Sequence, residues 1–321
     1  MTTPIPFNTS SSRLIYGCMG LGGGWNNDPL RSEDVIQARA AVEAALEIGI
    51  TLFDHANIYT LGKAEQCFGE LFKQEPGLRQ RMQLQTKCGI RFADASGPKR
   101  YDLSAAHIIE AVHASLRRLN TDYLDVLMLH RPDPLMEPDE INEAWRTLLG
   151  AGKVRQLGVS NMHAGQLRRL SAALETPLVA NQLEMSLHKT DWLDADTCFN
   201  DVQGQQSLVW GDTLHYCQSQ SIVLQAWGSL AKGWYSGGAP HGAAPAVTAT
   251  AHLVQQLADE HGTSCESIVL AWLLKHPARI RPVIGTANPG RIRACADASH
   301  VALTRGQWYA LYQSARGREL P

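Results

Sequence analysis

Eight short apolar runs, each followed by a stretch with helical spacing, constrain the fold of this chain more than any single residue does. The runs are Arg13–Gly20, Leu52–Asp54, Met82–Lys87, Leu124–His130, Val154–Ser160, Leu178–Leu183, Ile222–Ala226 and Arg281–Ile284. Helical patterns cover Asp34–Ile48, Ala64–Lys73, Ala105–Leu119, Glu140–Leu149, Ala164–Leu174, Thr213–Gln218, Ala251–His261, Glu266–Lys275, Pro289–Ala298 and Arg305–Ala315. In the first of these, Val35, Ala38, Val42, Ala45 and Leu46 recur at helical spacing. Ser32 is placed to cap its start and Gly49 its end. Ser104 and Pro138 mark two later helix starts. Strand–helix alternation predicts a parallel sheet covered by helices. Eight such units in 321 residues predict an α/β fold, a closed (β/α)8 TIM barrel, which takes about 250 residues plus insertions. A doubly wound open sheet is the competing architecture. The barrel accounts better for polar residues gathered at the C-terminal ends of several strands. No hinge-like linker or charge run divides the chain, so residues 1–321 are expected to form a single domain.

Bulk properties remove several function classes. Net charge is −2 with a pI of 6.6, and no basic block occurs, so nucleic acid is a poor partner. No apolar run is long enough to span a bilayer. Met1–Phe7 lacks the basic and apolar regions of an export signal, which predicts a cytoplasmic protein. Cys18, Cys67, Cys88, Cys198, Cys217, Cys265 and Cys295 are odd in number and scattered, which fits free thiols. No metal-ligand spacing is present, so no metal is expected. Nothing announces an oligomer. Two connections are long, Leu187–Trp210 with Trp192 and Phe199, and the Gly/Ala-rich Lys232–Ala249. Long connections in a compact domain are commonly functional. On a barrel of this register both fall on the active face.

The chemistry concentrates at three strand ends. Asp54 ends the second run and Tyr59 comes shortly after it, Lys87 ends the third, and His130 ends the fourth. These four meet only if the strands are parallel and adjacent. A phenol titrates near about 10, too high for an efficient acid at neutral pH. A neighbouring ammonium is expected to lower it by favouring phenolate. Lys87 needs a partner if buried, because an unpaired buried charge is expensive. Asp54 can supply it. His130 shares a strand face with Met128 and Val126, and can bond a carbonyl oxygen and set its angle. Read singly, Tyr59 and His130 are ordinary packing residues and Asp54–Lys87 a structural ion pair. Together they form a proton-delivery site suited to carbonyl reduction. His55 alternates away from Asp54 and is assigned to packing.

At this point the chain resembles the aldo-keto reductase family. The resemblance is carried, in the family's order, by Gly20–Trp25, Phe53–Tyr59, Thr86-Lys87, Leu127–His130, Gly158–Asn161, Asn181–Glu184, Ala226–Leu230 and Ile284–Thr286. It runs from about Arg13 to the last helix. Leu129–Met136 resembles a bacterial branch whose substrates are poorly defined. The resemblance implies that Tyr59 is the general acid, that Lys87 and Asp54 tune it, and that His130 orients a small carbonyl substrate. It implies NADPH as cofactor. Ser160, Asn161 and Gln182 match the positions that hold the carboxamide, Trp227 the aromatic on which the nicotinamide stacks, and Ser229 and Leu230 the approach to the pyrophosphate. Gly22, Gly285, Thr286 and Ala287 fall among the cofactor contacts. Arg291 matches the contact to the adenosine 2′-phosphate. Trp25 would line the substrate pocket with the Leu187–Trp210 insertion and the Arg91–Pro98 loop.

Residue chemistry supports the anion site independently. Asn288-Pro289 reads as a helix cap followed by Pro at the first turn, and a helix N-terminus favours phosphate. Ala294 and Cys295 depart from the family's Glu-Asn, which grips adenine. A dinucleotide-fold reading fails, because Trp25 stands where the third fingerprint glycine belongs. The competing function is a nicotinamide-binding sensor or regulatory subunit on the same barrel. An intact tetrad argues against it.

Overall fold

The computed structural model describes residues 12–198 and 210–321. Eight parallel strands close into a barrel. They are β1 (Ile15–Gly17), β2 (Leu52–Asp54), β3 (Gln83–Cys88), β6 (Leu124–Leu129), β7 (Val154–Ser160), β8 (Ala180–Glu184), β9 (Val223–Trp227) and β10 (Arg281–Ile284), in the order β1-β10-β9-β8-β7-β6-β3-β2. The expected barrel is therefore the observed one. The chain divides into two compact units, Met1–Asn181 with Gly285–Pro289, and Gln182–Ile284 with Gly290–Pro321.

In the first unit the register is explicit. Gly17 pairs with Asp54, Asp54 with Gln85, Lys87 with Met128, and Met128 with Gly158. These parallel steps bring the ends of β2, β3 and β6 side by side. The helices here are α1 (Ser32–Glu47), α2 (Lys63–Gln74), α3 (Ala105–Leu119), α4 (Pro138–Gly150) and α5 (Ala164–Ala173). Ser104 caps α3 as expected, its Oγ accepting from His107 N–H at 3.4 Å. Ser32 does not cap α1; it is the first helical residue. The Asp34 carboxylate does that work, accepting the Arg31 backbone N–H at 3.1 Å. A carboxylate in the first turn also suits the helix dipole.

Two elements escaped the sequence reading here. The segment Arg91–Pro98 belongs to a small hairpin, with β4 (Ile90–Arg91) antiparallel to β5 (Arg100–Tyr101). Asp94 pins it, accepting from Arg91 and Arg100 at 3.0 and 3.1 Å. Gly69 in α2 marks a close helix approach. A Cβ there would stand 2.1 Å from the Arg118 carbonyl oxygen near the end of α3. Gly69→Ala is therefore expected to cost about 2 kcal/mol net, since backbone overpacking outweighs the helix propensity gained. Gly150→Ala in α4 meets nothing within 4 Å and should be neutral. Denaturant midpoints of the two variants test this; equal midpoints would refute the packing account.

The second unit holds α6 (Asp191–Thr197), α7 (Thr213–Ser219), α8 (Pro245–His261), α9 (Cys265–Leu274), α10 (Pro289–Arg293, begun in the first unit) and α11 (Arg305–Arg316). The helix expected from Ala251 starts at Pro245, because Pro at the first turn suits a helix entry. The helix expected over Pro289–Ala298 stops at Arg293. The Leu187–Trp210 insertion contains α6, and its residues 199–209, Phe199 among them, lie outside the described residues. Trp192 does not line a pocket: it is 1% exposed and packs edge-on against Trp272 at 5.9 Å. Trp272 stacks on Trp308 at 5.3 Å, and each indole N–H donates to the other's backbone carbonyl, at 3.2 and 3.0 Å. α9 is buried on every side from Glu266 to Leu274.

Among the described residues, no helix is long and apolar enough to cross a membrane. None of the seven cysteines, all among the described residues, forms a disulfide, and Cys265 alone is not buried.

Candidate active site

Lys87 sits at the C-terminal end of β3 with 1% of its surface exposed. Its ammonium donates to both Asp54 oxygens at 2.7 and 2.6 Å, to the His55 carbonyl at 3.1 Å, and to the Tyr59 hydroxyl at 3.0 Å. Gln85, two residues earlier and so on the same strand face, donates to Asp54 Oδ1 at 2.6 Å. Three of the four expected residues thus form one hydrogen-bonded chain. His130 completes the group by ring contact, edge-on to Tyr59 with centroids 6.0 Å apart. Its backbone is fixed on both sides: its N–H donates to the Cys88 carbonyl at 2.9 Å, and its carbonyl accepts from Asn161 at 3.2 Å. Its buried Nδ1 has no hydrogen-bond partner among the described residues.

Burial decides the protonation states. It lowers the His130 pKa to about 2, helped by Lys87 and Arg131, so the imidazole is neutral at working pH. Burial acts against the Lys87 ammonium too, but Asp54 and Tyr59 outweigh it and the net shift is upward. For Tyr59 the expectation of a lowered pKa is corrected. Burial is the largest influence and raises it; Lys87 pulls downward but does not win. The phenol therefore keeps its proton at neutral pH in this state.

Thr86 points to the opposite side of β3 from Lys87. It donates to Glu65 at 2.6 Å, and Glu65, fully buried, also accepts from Arg118 at 2.7 Å. His55 is packing, as assigned. It is fully buried, edge-on to Phe68 at 4.3 Å, and neither ring nitrogen is hydrogen-bonded among the described residues. Burial lowers its pKa to about 3. A histidine with a depressed folded value contributes stability above its unfolded pKa and loses it as pH falls. The window is about 6.5 down to about 3. Below pH 6.5, wild type should lose about 1.4 kcal/mol per pH unit relative to His55→Leu. Parallel stability–pH curves for the two would contradict this.

The remaining candidates divide between the units. In the first, Ser160 ends β7 and Asn161 follows it, with Asn161 Nδ2 donating to Ser160 Oγ at 2.9 Å. The Tyr16 hydroxyl holds the Thr286 carbonyl at 3.1 Å. A Cβ added at Gly285 would meet nothing within 4 Å among the described residues. Trp25 is 51% exposed. In the second unit, Gln182 donates to Gln225 at 2.8 Å and Ser229 to the Val283 carbonyl at 2.7 Å. Arg291 is braced by Glu266 at 3.3 Å and Ser236 at 3.2 Å. Trp227 ends β9 and is half-buried, and Leu230 leads into a turn with Lys232 at φ 57°. Cys295 turns inward, its thiol donating to the Arg291 carbonyl at 3.3 Å.

A model of the aldo/keto reductase family matches residues 13–315. The chain belongs to that family. It is 38% identical over 314 residues to the 6-dehydroglucose reductase of Agrobacterium fabrum (strain C58), covering 96% of each chain. Among solved structures, it matches the glycerol dehydrogenase of Gluconobacter oxydans with a TM-score of 0.79 at 23% identity, over 98% of this chain and 94% of that one. It also matches an aldo/keto reductase from Klebsiella pneumoniae, crystallised with NADP and acetate, with a TM-score of 0.71 at 24% identity. That match covers 97% of this chain and 93% of the other. These two likenesses show the fold. The protein is an oxidoreductase, as the names of its relatives and its family agree.

For this aldo-keto reductase, sequence reasoning missed Gln85 and Glu65 around the tetrad. Gln85 was signalled by alternation with Lys87 on β3. Glu65 had no local signal, because its partners lie 21 and 53 residues away. Among the described residues no cluster suited to a metal ion occurs.

Proposed function

We propose that this protein reduces aldehydes or ketones to alcohols with NADPH, and that Tyr59 is the proton donor. The observation that carries the reading is the hydrogen-bonded chain from the buried Asp54–Lys87 pair to the half-buried Tyr59, with Lys87 Nζ 3.0 Å from the phenol oxygen. A carbonyl oxygen held at Tyr59 and at the neutral His130 ring gains negative charge as the carbon is reduced. The high phenol pKa of the resting site falls in relevance at that moment, because the proton moves to a more basic oxygen. The phenolate left behind lies against the Lys87 ammonium, which Asp54 holds in place. The phenol then regains a proton from solvent.

When bound, the reduced nicotinamide supplies the hydride. Gly22, Ser160, Asn161, Gln182, Trp227, Ser229, Leu230, Gly285, Thr286 and Ala287 are the residues proposed to hold it. Arg291, a partly exposed guanidinium with a fixed orientation, is proposed to select the 2′-phosphate and hence NADPH. The open backbone at Gly285 supports this fit. Ala294 and the inward Cys295 leave the adenine end with less side-chain polarity. The Agrobacterium relative's name suggests a sugar-derived aldehyde as an early member of any substrate panel.

The test follows NADPH oxidation with aldehydes and ketones, wild type against Tyr59→Phe, with NADPH binding read by fluorescence. Loss of about 10²–10⁴ in kcat with binding retained is expected for the variant. Tight binding by wild type with no turnover on any substrate would favour the sensor. No binding would mean that the cofactor site is lost.

A further inference from the structure

Tyr59 is followed by three consecutive residues in the left-handed region: Thr60 at φ 47°, Leu61 at φ 59° and Gly62 at φ 90°. Glycine is at ease there, whereas a β-branched residue is an outlier that the surroundings must hold. Thr60 is 1% exposed, and its hydroxyl is what holds it. Oγ1 donates to the Leu21 carbonyl at 2.9 Å and accepts from the Ala64 N–H at 3.0 Å. The next residue of the glycine-rich loop, Gly22, lies against the same segment: a Cβ there would stand 2.7 Å from the Lys63 backbone. One hydroxyl therefore ties the loop after β1 to the first turn of α2, immediately beside the tyrosine. Among the described residues the phenol oxygen has one side-chain hydrogen bond, the 3.0 Å bond from Lys87. The backbone that carries it is set by the turn in which Thr60 sits, with Tyr59 N–H on the Ala56 carbonyl and Leu61 N–H on the Ile58 carbonyl.

We propose that Thr60 is a positioning residue: its hydroxyl bridge from Leu21 to Ala64 fixes the left-handed turn that holds the Tyr59 phenol on Lys87. The inference rests on the reading of Tyr59 as proton donor. It makes a statement that packing alone does not. Removing the hydroxyl should lower kcat while leaving cofactor affinity and substrate KM nearly unchanged, because the turn aims the acid rather than binding the ligand.

Two substitutions separate the hydroxyl from the strain. Thr60→Val keeps the shape and the strained backbone but loses both hydrogen bonds. Thr60→Gly also loses them but relieves the positive-φ conflict, so it keeps the test available if the valine variant fails to fold. Thr60→Ser restores the hydroxyl and serves as the rescue. NADPH oxidation with the best carbonyl substrate of wild type is measured for all three, with NADPH affinity by fluorescence. The expected result is a 10- to 100-fold fall in kcat for Thr60→Gly, and for Thr60→Val if it folds. KM and NADPH affinity should stay within about threefold, and Thr60→Ser should recover most of the rate. Wild-type kcat in Thr60→Gly would overturn the proposal, as would a fall in both kcat and affinity that serine does not restore. Tyr59→Phe, run alongside, tests the underlying reading separately. If that variant keeps its rate, Tyr59 is not the acid, whatever the Thr60 variants do.

Discussion

Lys87→Met is expected to lower kcat by about three orders of magnitude and to destabilise the protein by about 3–5 kcal/mol. Both effects have one origin. The Lys87 and Asp54 side chains are 1% and 2% exposed, so each charge depends on the other. Removing the ammonium leaves Asp54 with the Gln85 amide for company, and a buried carboxylate without its cation is costly. It also removes the charge proposed to stabilise a Tyr59 phenolate. The two effects can be separated. Lys87→Met combined with Asp54→Asn leaves no buried charge at this place, so most of the stability should return while the activity does not. Denaturant midpoints and NADPH-oxidation rates on the two variants decide it. Unchanged turnover in Lys87→Met would remove Lys87 from the mechanism; equal instability of single and double variants would remove the charge argument. The upward shift of Lys87 places its pH-linked contribution below pH 10.5, lost only as pH rises through the folded value.

Trp272→Ala is expected to cost about 4 kcal/mol, at the upper range for deleting a buried aromatic. Trp272 is fully buried and touches both Trp192 and Trp308. The substitution empties a large volume and orphans the Trp308 carbonyl, which now accepts the Trp272 indole N–H. It lies in α9 of the second unit, whereas the tetrad belongs to the first. Turnover per folded molecule should therefore stay close to wild type while the denaturation midpoint falls. A loss below about 1 kcal/mol would show that the stacked pair is not a support of this unit.

Most of the barrel was legible because its strands are apolar runs that end in chemistry. β2 and β7 match the reading residue for residue, and the tetrad follows from where four polar side chains stand relative to those ends. What could not be read has physical reasons. β4 and β5 are two residues each, too short to carry a period. α6 lies in a polar stretch whose single buried stripe is Trp192, Leu193 and Ala195. The start of α8 was hidden by alanines that suit loop and helix alike, although Pro245 was a usable signal. The direction of the Tyr59 shift depends on how completely the phenol is shielded, and that depth is set by distant parts of the chain. Thr60 gave no warning, since nothing about a threonine announces a left-handed turn.

Strand β3 is gripped from both of its faces at the same level. Lys87 is bound on one side to Asp54, and Thr86, its neighbour, on the other to Glu65. A slip of one residue would exchange the two faces and strip Asp54 of both Lys87 and Gln85. Alignment of the strand and assembly of the proposed proton relay are therefore one event. A misaligned barrel could still be compact, helical and soluble, yet it would have no relay. Catalytic turnover is for that reason a sharper gauge of correct refolding than any spectroscopic measure of secondary structure, and quality control of recombinant material should be done by rate.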